Sequence, residues 1–180
     1  MGSSDKSSEI LTTRPLSSDA EPSTGLLQLV GFHVESEEFC LDIQCVQEII
    51  RFQQLTRVPN SPDFVEGVMN LRGRIVPVVA LRRWFGLNDA APTKDSRIVV
   101  VEAGAAILGF VVDSVSEVLR IPSSAIEPPP RIGNTHREYV SGVAKINDRL
   151  LIILDVPCLI RDAEALAASE PSRRQGVATA

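Results

Sequence analysis

The chain has 180 residues, 44% of them apolar and 23% charged, which suits one ordinary domain or two small ones and argues for a packed core rather than wholesale disorder. Twenty-three acids against eighteen bases leave a formal net charge of -5, which argues against a nucleic-acid binder, because such a protein needs a basic stripe to neutralise phosphates. No apolar run approaches the roughly 20 residues that span a bilayer, so no direct membrane insertion is expected; three cysteines without a CxxC pair fit a reducing cytoplasm.

Residues 1–25 are rich in Ser, Thr, Asp, Glu and Pro, lack a signal-peptide core, and bury too little to offset their ordering entropy, so a disordered tail is expected. From there the texture becomes short runs of β-branched residues. Leu27, Leu29 and Val30 open the first predicted strand. Phe39, Leu41 and Ile43 alternate with Cys40 and Asp42, as in a strand with one buried face. Further strands are predicted at Ile75-Val76, Ile98 to Val101, Phe110 to Val112 and Leu150 to Leu154. Helical signals are sparse: a turn near Leu81 to Phe85, another at Ser123 to Ile126, and an Ala-rich piece at Asp162 to Ala168. Leu87 to Ser96 reads as a polar connector, and the chain from about Ser169 as a second tail. The class is mostly β, with few short helices and disordered termini.

The pattern repeats internally. Phe64 to Val76 aligns without gaps on Tyr139 to Leu151, 75 positions on, and the turn pairs Arg72-Gly73 and Asn147-Asp148 fall in register. Val46-Gln47-Glu48-Ile49-Ile50-Arg51 aligns on Val115-Ser116-Glu117-Val118-Leu119-Arg120 at an offset of 69. A unit of this size is marginal alone, so the two copies should pack together. The predicted organisation is a tail over 1–25, a first β-barrel over 26–88, a second over 96–160, and a short helix with a flexible tail over 161–180.

No catalytic constellation is visible. His33 and His136 have no neighbour at metal-ligand or dyad spacing, and there is no phosphate loop; no metal and no cofactor are expected. Phe110-Val111-Val112-Asp113-Ser114 resembles the approach to an aspartic-protease dyad, yet the repeat sets Gln44 opposite Asp113, so the second carboxylate is missing. A hydrolase using Asp113 alone is the enzymatic alternative; a protein that is not an enzyme and acts through surfaces is the preferred reading. Arg72 is matched by Asn147, so folding of the repeat does not itself call for arginine there, and Arg suits an interface anchor.

The series Val46-Gln47-Glu48-Ile49, Val58-Pro59-Asn60, Asn70-Leu71-Arg72-Gly73, Ile75-Val76-Pro77-Val78, Gly109 to Asp113, Val115 to Val118 and Gly142-Val143-Ala144 resembles the CheW family from about Gln28 to Ile160. These are chemotaxis adaptors that couple transmembrane chemoreceptors to the histidine kinase CheA. The resemblance implies two five-stranded SH3-like β-barrels packed side by side, and a cytoplasmic protein held at the inner face of the membrane through receptor arrays. It implies contact with the receptor's cytoplasmic signalling tip through Val46, Glu48, Asn70 and Arg72. Contact with the kinase's regulatory domain falls to Ile98, Val99, Leu108 and Val118. A related scaffold of a non-swimming chemosensory pathway is the alternative within the family. Family members often carry Asp where this chain has Ala80, whereas the second copy keeps Asp155.

Overall fold

A computed structural model describes residues 25–131 and 137–168. The tail preceding Gly25, the stretch from Ser169 and His136 lie outside these residues. In chain order the strands are β1 (Leu26–Val34), β2 (Glu37–Asp42), β3 (Val46–Arg51), β4 (Val65–Leu71), β5 (Arg74–Ala80), β6 (Arg97–Ala103), β7 (Ala106–Val112), β8 (Ser114–Pro122), β9 (Ile126–Glu127), β10 (Val140–Ile146) and β11 (Arg149–Leu154). Helix α1 (Leu81–Trp84) follows β5, and α2 (Val156–Ala168) follows β11.

The strands form two sheets, ordered β8-β1-β2-β11-β10-β9 and β3-β6-β7-β5-β4. Each sheet therefore draws strands from both 26–88 and 96–160, and the barrels are built across these two segments. The hairpin β1–β2 joins the later strands, and its counterpart β6–β7 joins β3, β4 and β5. Register shows the exchange to be reciprocal. In the parallel pairs, Val78 lies opposite Gly109 and Ile153 opposite Cys40, which are the same two positions displaced by 75 and 69. Val46 faces Val101 as Phe32 faces Val115, and the ladder shifts beside that pair in both sheets.

Closure follows the same rule twice. Beyond β3, Thr56 bridges Val68 on β4; beyond β8, a 3-10 turn at Ser123–Ala125 leads into β9, which pairs with β10. Two glycines let the backbones meet there. A Cβ on Gly67 would lie 2.5 Å from the Thr56 carbonyl oxygen, and one on Gly142 2.4 Å from Ile126 Cγ2. The sheet that holds β8 and β9 counts six segments instead of the expected five because that turn divides β8 from β9.

Three apolar clusters result. Cys40, Leu151 and Ile153 fill one barrel and Val76, Ile98 and Val100 the other. The largest, including Phe32, Leu41, Val99, Phe110, Trp84 and Leu159, lies between the sheets. This arrangement overturns the one-sided reading of β2. Cys40 is buried along with Phe39 and Leu41, because β2 runs mid-sheet with the shared core on one face and its own barrel interior on the other. Ile43 has left the strand for a 3-10 turn.

Helix α2 starts six residues before the Ala-rich piece. Asp155 is its cap: the Asp155 Oδ1 accepts the Cys158 N–H at 2.9 Å, and Pro157 sits in the first turn, where its missing N–H costs nothing. The matched position before α1 is Ala80, which makes no side-chain cap, and α1 runs only four residues. In this fold the aspartate of that position is a helix cap.

Candidate partner-binding site

Strands β3 and β4 are the two outer strands of their sheet, and barrel closure brings Glu48 of β3 against Arg72 of the β4–β5 turn. Arg72 Nη2 lies 3.3 Å from Glu48 Oε1 and 3.2 Å from Oε2. The arginine side chain is 76% exposed and the glutamate 27%. Glu48 Oε2, shielded from solvent, is in ion-pair range of Arg72 but accepts no directional hydrogen bond. Asn70 is exposed, and its Oδ1 accepts the Gly73 N–H at 2.8 Å, bracing the turn that carries Arg72. Val46 is half-buried against the shared core, two residues along β3. Glu48, Asn70 and Arg72 are therefore brought together, while Val46 packs against the shared core.

Arg72 pays a conformational penalty to be there. Its φ is 52°, followed by Gly73 at 83°, the left-handed pair of a tight hairpin turn. The other hairpin meets the same demand with Asn147 at 49° and Asp148 at 64°, residues that tolerate it. An arginine in this region costs about 1–2 kcal/mol, so turn formation does not explain its presence.

The equivalent corner of the other barrel is internally neutralised. Glu117, the counterpart of Glu48, lies 3.0 Å from Arg149 Nη1, and Arg149 Nε donates to buried Glu38 at 3.1 Å. Hydrogen bonds to Glu38, then to Glu117, raise the Arg149 pKa further. Ser116 also reaches Glu38, at 3.4 Å. One barrel thus ties its arginine down with two carboxylates, while the other leaves Arg72 projecting with one.

The residues expected to face a kinase are mostly interior. Ile98 fills a barrel, and Val99 and Leu108 belong to the shared core; none reaches the surface, because β6 and β7 are central strands covered on both faces. Val118 is 53% exposed on β8.

Asp113 does not resemble a catalytic acid. Arg82 Nε donates to its Oδ1 at 2.9 Å and Nη2 to its Oδ2 at 2.6 Å, while the Glu35 N–H donates to Oδ2 at 2.7 Å. Burial would raise its pKa, but the Arg82 hydrogen bonds, the Glu35 amide and the nearby positive charge outweigh this and lower it. The carboxylate is ionised and occupied, clamping α1 to the β7–β8 crossover and the β1–β2 turn. Sequence reading singled out Asp113 but missed Arg82, whose counterpart 75 positions on is Pro157, so the repeat gave no signal. Burial, with Glu38 adding to it, pushes the Cys40 thiol up to about 12, far from reactive thiolate character. Among the described residues no group of His, Cys, Asp or Glu is arranged to hold a metal, and no helix is long and apolar enough to cross a membrane. A cleft of about 280 Å³ beside α1 contains Arg82, Arg83, Glu66 and Asp113, already paired with one another as Arg82–Asp113 and Arg83–Glu66.

Comparison with known proteins agrees with the fold and the motifs. The family model described as CheW-like domain matches residues 28–164. The chain is 37% identical over 144 residues to the chemotaxis protein CheW of Helicobacter pylori, covering 80% of this chain and 87% of that one. It is 38% identical over 134 residues to the chemotaxis protein CheW of Klebsiella aerogenes, covering 74% and 81%. The solved structure of the scaffolding protein TtCheW from Thermoanaerobacter tengcongensis superposes with a TM-score of 0.70 at 38% identity, over 73% of this chain and 90% of that one. Duplicated barrels, paired motif residues and these likenesses agree, and the chain belongs to the CheW family of chemotaxis scaffold proteins.

Proposed function

We propose that this chain is a non-enzymatic adaptor that couples chemoreceptor signalling tips to the regulatory domain of the histidine kinase CheA, in the cytoplasm at the inner face of the membrane. The observation that carries this reading is Arg72: exposed, held in a backbone conformation that arginine disfavours, and ion-paired with one carboxylate, that of Glu48. Strain retained at a surface residue is characteristic of a functional position, and arginine is enriched among interface anchors. Glu48, Asn70 and Arg72 form the receptor-facing surface, with Val46 supporting their strand. On the kinase side, Val118 is the exposed member of the expected set and carries that contact.

Calorimetric titration of the chain with a receptor signalling fragment and with the CheA regulatory domain tests the reading. Both should bind, and Arg72→Ala should weaken the receptor fragment while leaving the kinase domain unaffected. Binding to neither partner by a folded chain would sink the proposal.

A further inference from the structure

The connector 87–96 is pinned at both ends: the Leu87 N–H donates to the Arg82 carbonyl at 2.8 Å, and the Phe52 N–H to the Ser96 carbonyl at 3.2 Å. Between these pins Ala90, Ala91 and Pro92 line the cleft beside α1, and Phe52, Ala80 and Val111 add apolar wall from the barrel. A second hollow of about 200 Å³ shares Arg57, Glu66 and Arg83 with it. At about 280 Å³ the cleft falls just under the about 300 Å³ at which drug-sized pockets begin, so it matches a small molecule.

Three arginines and three acids line the cleft, and they are unequally committed. Arg82 and Asp113 saturate one another, with the Glu35 N–H on Asp113 as well. Arg83 Nη2 pairs with Glu66, and Nη1 donates to the Asp63 carbonyl at 2.5 Å. Arg83 Nε, however, is shielded from solvent and makes no hydrogen bond; its ion-pair partner Asp89 stands 3.7 Å away, with a side chain 65% exposed. Arg57 is exposed, and among the described residues its side chain has neither a hydrogen bond nor an ion pair. A shielded donor without an acceptor is costly, and here it borders the same space as a free guanidinium.

The other barrel has no such arrangement. At the places of Ala80, Arg82 and Arg83 it carries Asp155, Pro157 and Cys158, and the Asp155 carboxylate is spent on capping α2. Where that barrel has a carboxylate, Ala80 leaves a methyl group and room. We propose that the cleft beside α1 binds a small monocarboxylate with an apolar body. The carboxylate sits on Arg57 and on Arg83 Nε, replacing the loose contact to Asp89, and the body lies against Phe52, Ala80 and Val111. Guanidinium forks match carboxylate geometry, and the apolar walls favour burial of the rest of the ligand. A ligand seated there also ties the connector 87–96 to α1. The site is independent of the adaptor reading, since its occupant is a small molecule and not a protein.

The test titrates the full, isotope-labelled chain with sodium benzoate and follows the backbone amide resonances. Benzamide keeps the ring and drops the charge; sodium acetate keeps the charge and drops the ring. Benzoate should give saturable shifts at the amides of Arg83, Ala90 and Val111 with a Kd of about 1 mM, and each control should bind at least about fivefold more weakly. Arg57→Gln, at an exposed position, should weaken benzoate at least about fivefold with an unchanged melting temperature. Ala80→Asp, which copies the carboxylate of the other barrel, should abolish binding. No saturation by about 20 mM benzoate overturns the proposal. So do saturable shifts confined to residues away from the cleft, equal affinity of wild type and Arg57→Gln, a folded Ala80→Asp protein that binds like wild type, or benzamide or acetate binding as tightly as benzoate.

Discussion

Glu48 and Glu117 stand at the same point of the two barrels, 69 positions apart, yet each is met by an arginine from a different place on the facing hairpin. Glu117 meets Arg149, the first residue of β11, which Glu38 also holds; Glu48 meets Arg72, within the turn itself. The duplicated scaffold thus presents one saturated corner and one unsaturated corner. An exposed ion pair such as Arg72–Glu48 contributes only about 0–1 kcal/mol to stability, so the unsaturated corner is better suited to recognition than to holding the fold.

Arg72→Ala is expected to fold like the wild type, and Arg72→Asn, which copies the other hairpin, to be more stable by about 0.5–1 kcal/mol through relief of the left-handed strain. Both should weaken receptor binding by about 2 kcal/mol, near 30-fold. Denaturant unfolding read beside a binding titration separates the two effects. An unfolded Arg72→Ala protein would show the arginine to be structural.

Asn70 acts through the turn. Losing its acceptor for the Gly73 N–H should cost about 1 kcal/mol and roughly fivefold in receptor affinity. If Asn70 works by positioning Arg72, Asn70→Ala should have no further effect on binding in the Arg72→Ala background. Additive losses in a double-mutant cycle would instead make Asn70 a direct contact.

Asp155→Ala removes the cap of α2, which packs Leu159 and Ile160 into the shared core. A loss of about 1 kcal/mol is expected from thermal or urea unfolding. Ala80→Asp offers the missing cap to α1, and far-UV dichroism would register any added helix.

The Arg82–Asp113 clamp carries a pH signature. Asp113 has a folded-state pKa below the ordinary value of 3.8, so its stabilisation is fully present above that value and is lost as pH falls through the lower folded-state value. Asp113→Asn should therefore be less stable than the wild type by about 2 kcal/mol at pH 7, with the gap closing only below pH 3.8. Unfolding followed at both pH values checks the sign. A gap that closes near neutrality would mean that another group is responsible.

Much of the fold was legible because a duplication leaves its register in the chain. The offsets of 75 and 69 reappear in the hairpin turns, the ladder shifts and the parallel pairs. The reciprocal exchange of hairpins was not legible, since both copies offer equivalent strand edges and alternation says nothing about which copy is paired. The same ambiguity misplaced Ile98, Val99 and Leu108: a β-branched run reads alike on an outer strand and on a central one. Arg72 was found by contrast with Asn147. Arg149 and Glu38 were not found, because their pairing crosses 111 positions and the repeat sets Arg74 and Ile107 at the matching places, with no acid to signal it. The cap at Asp155 was written plainly as Asp-Val-Pro ahead of an apolar stretch, and alanine content drew attention away from it.

The most direct measurement is kinase autophosphorylation with receptor-bearing membranes and CheA, with and without this chain. Stimulation that requires the chain and is lost with Arg72→Ala, while the variant remains folded and still binds the kinase, is the predicted result. Equal stimulation by wild type and Arg72→Ala, or none by a folded wild type, would contradict the claim that the unsaturated corner of the first barrel is the receptor-coupling surface.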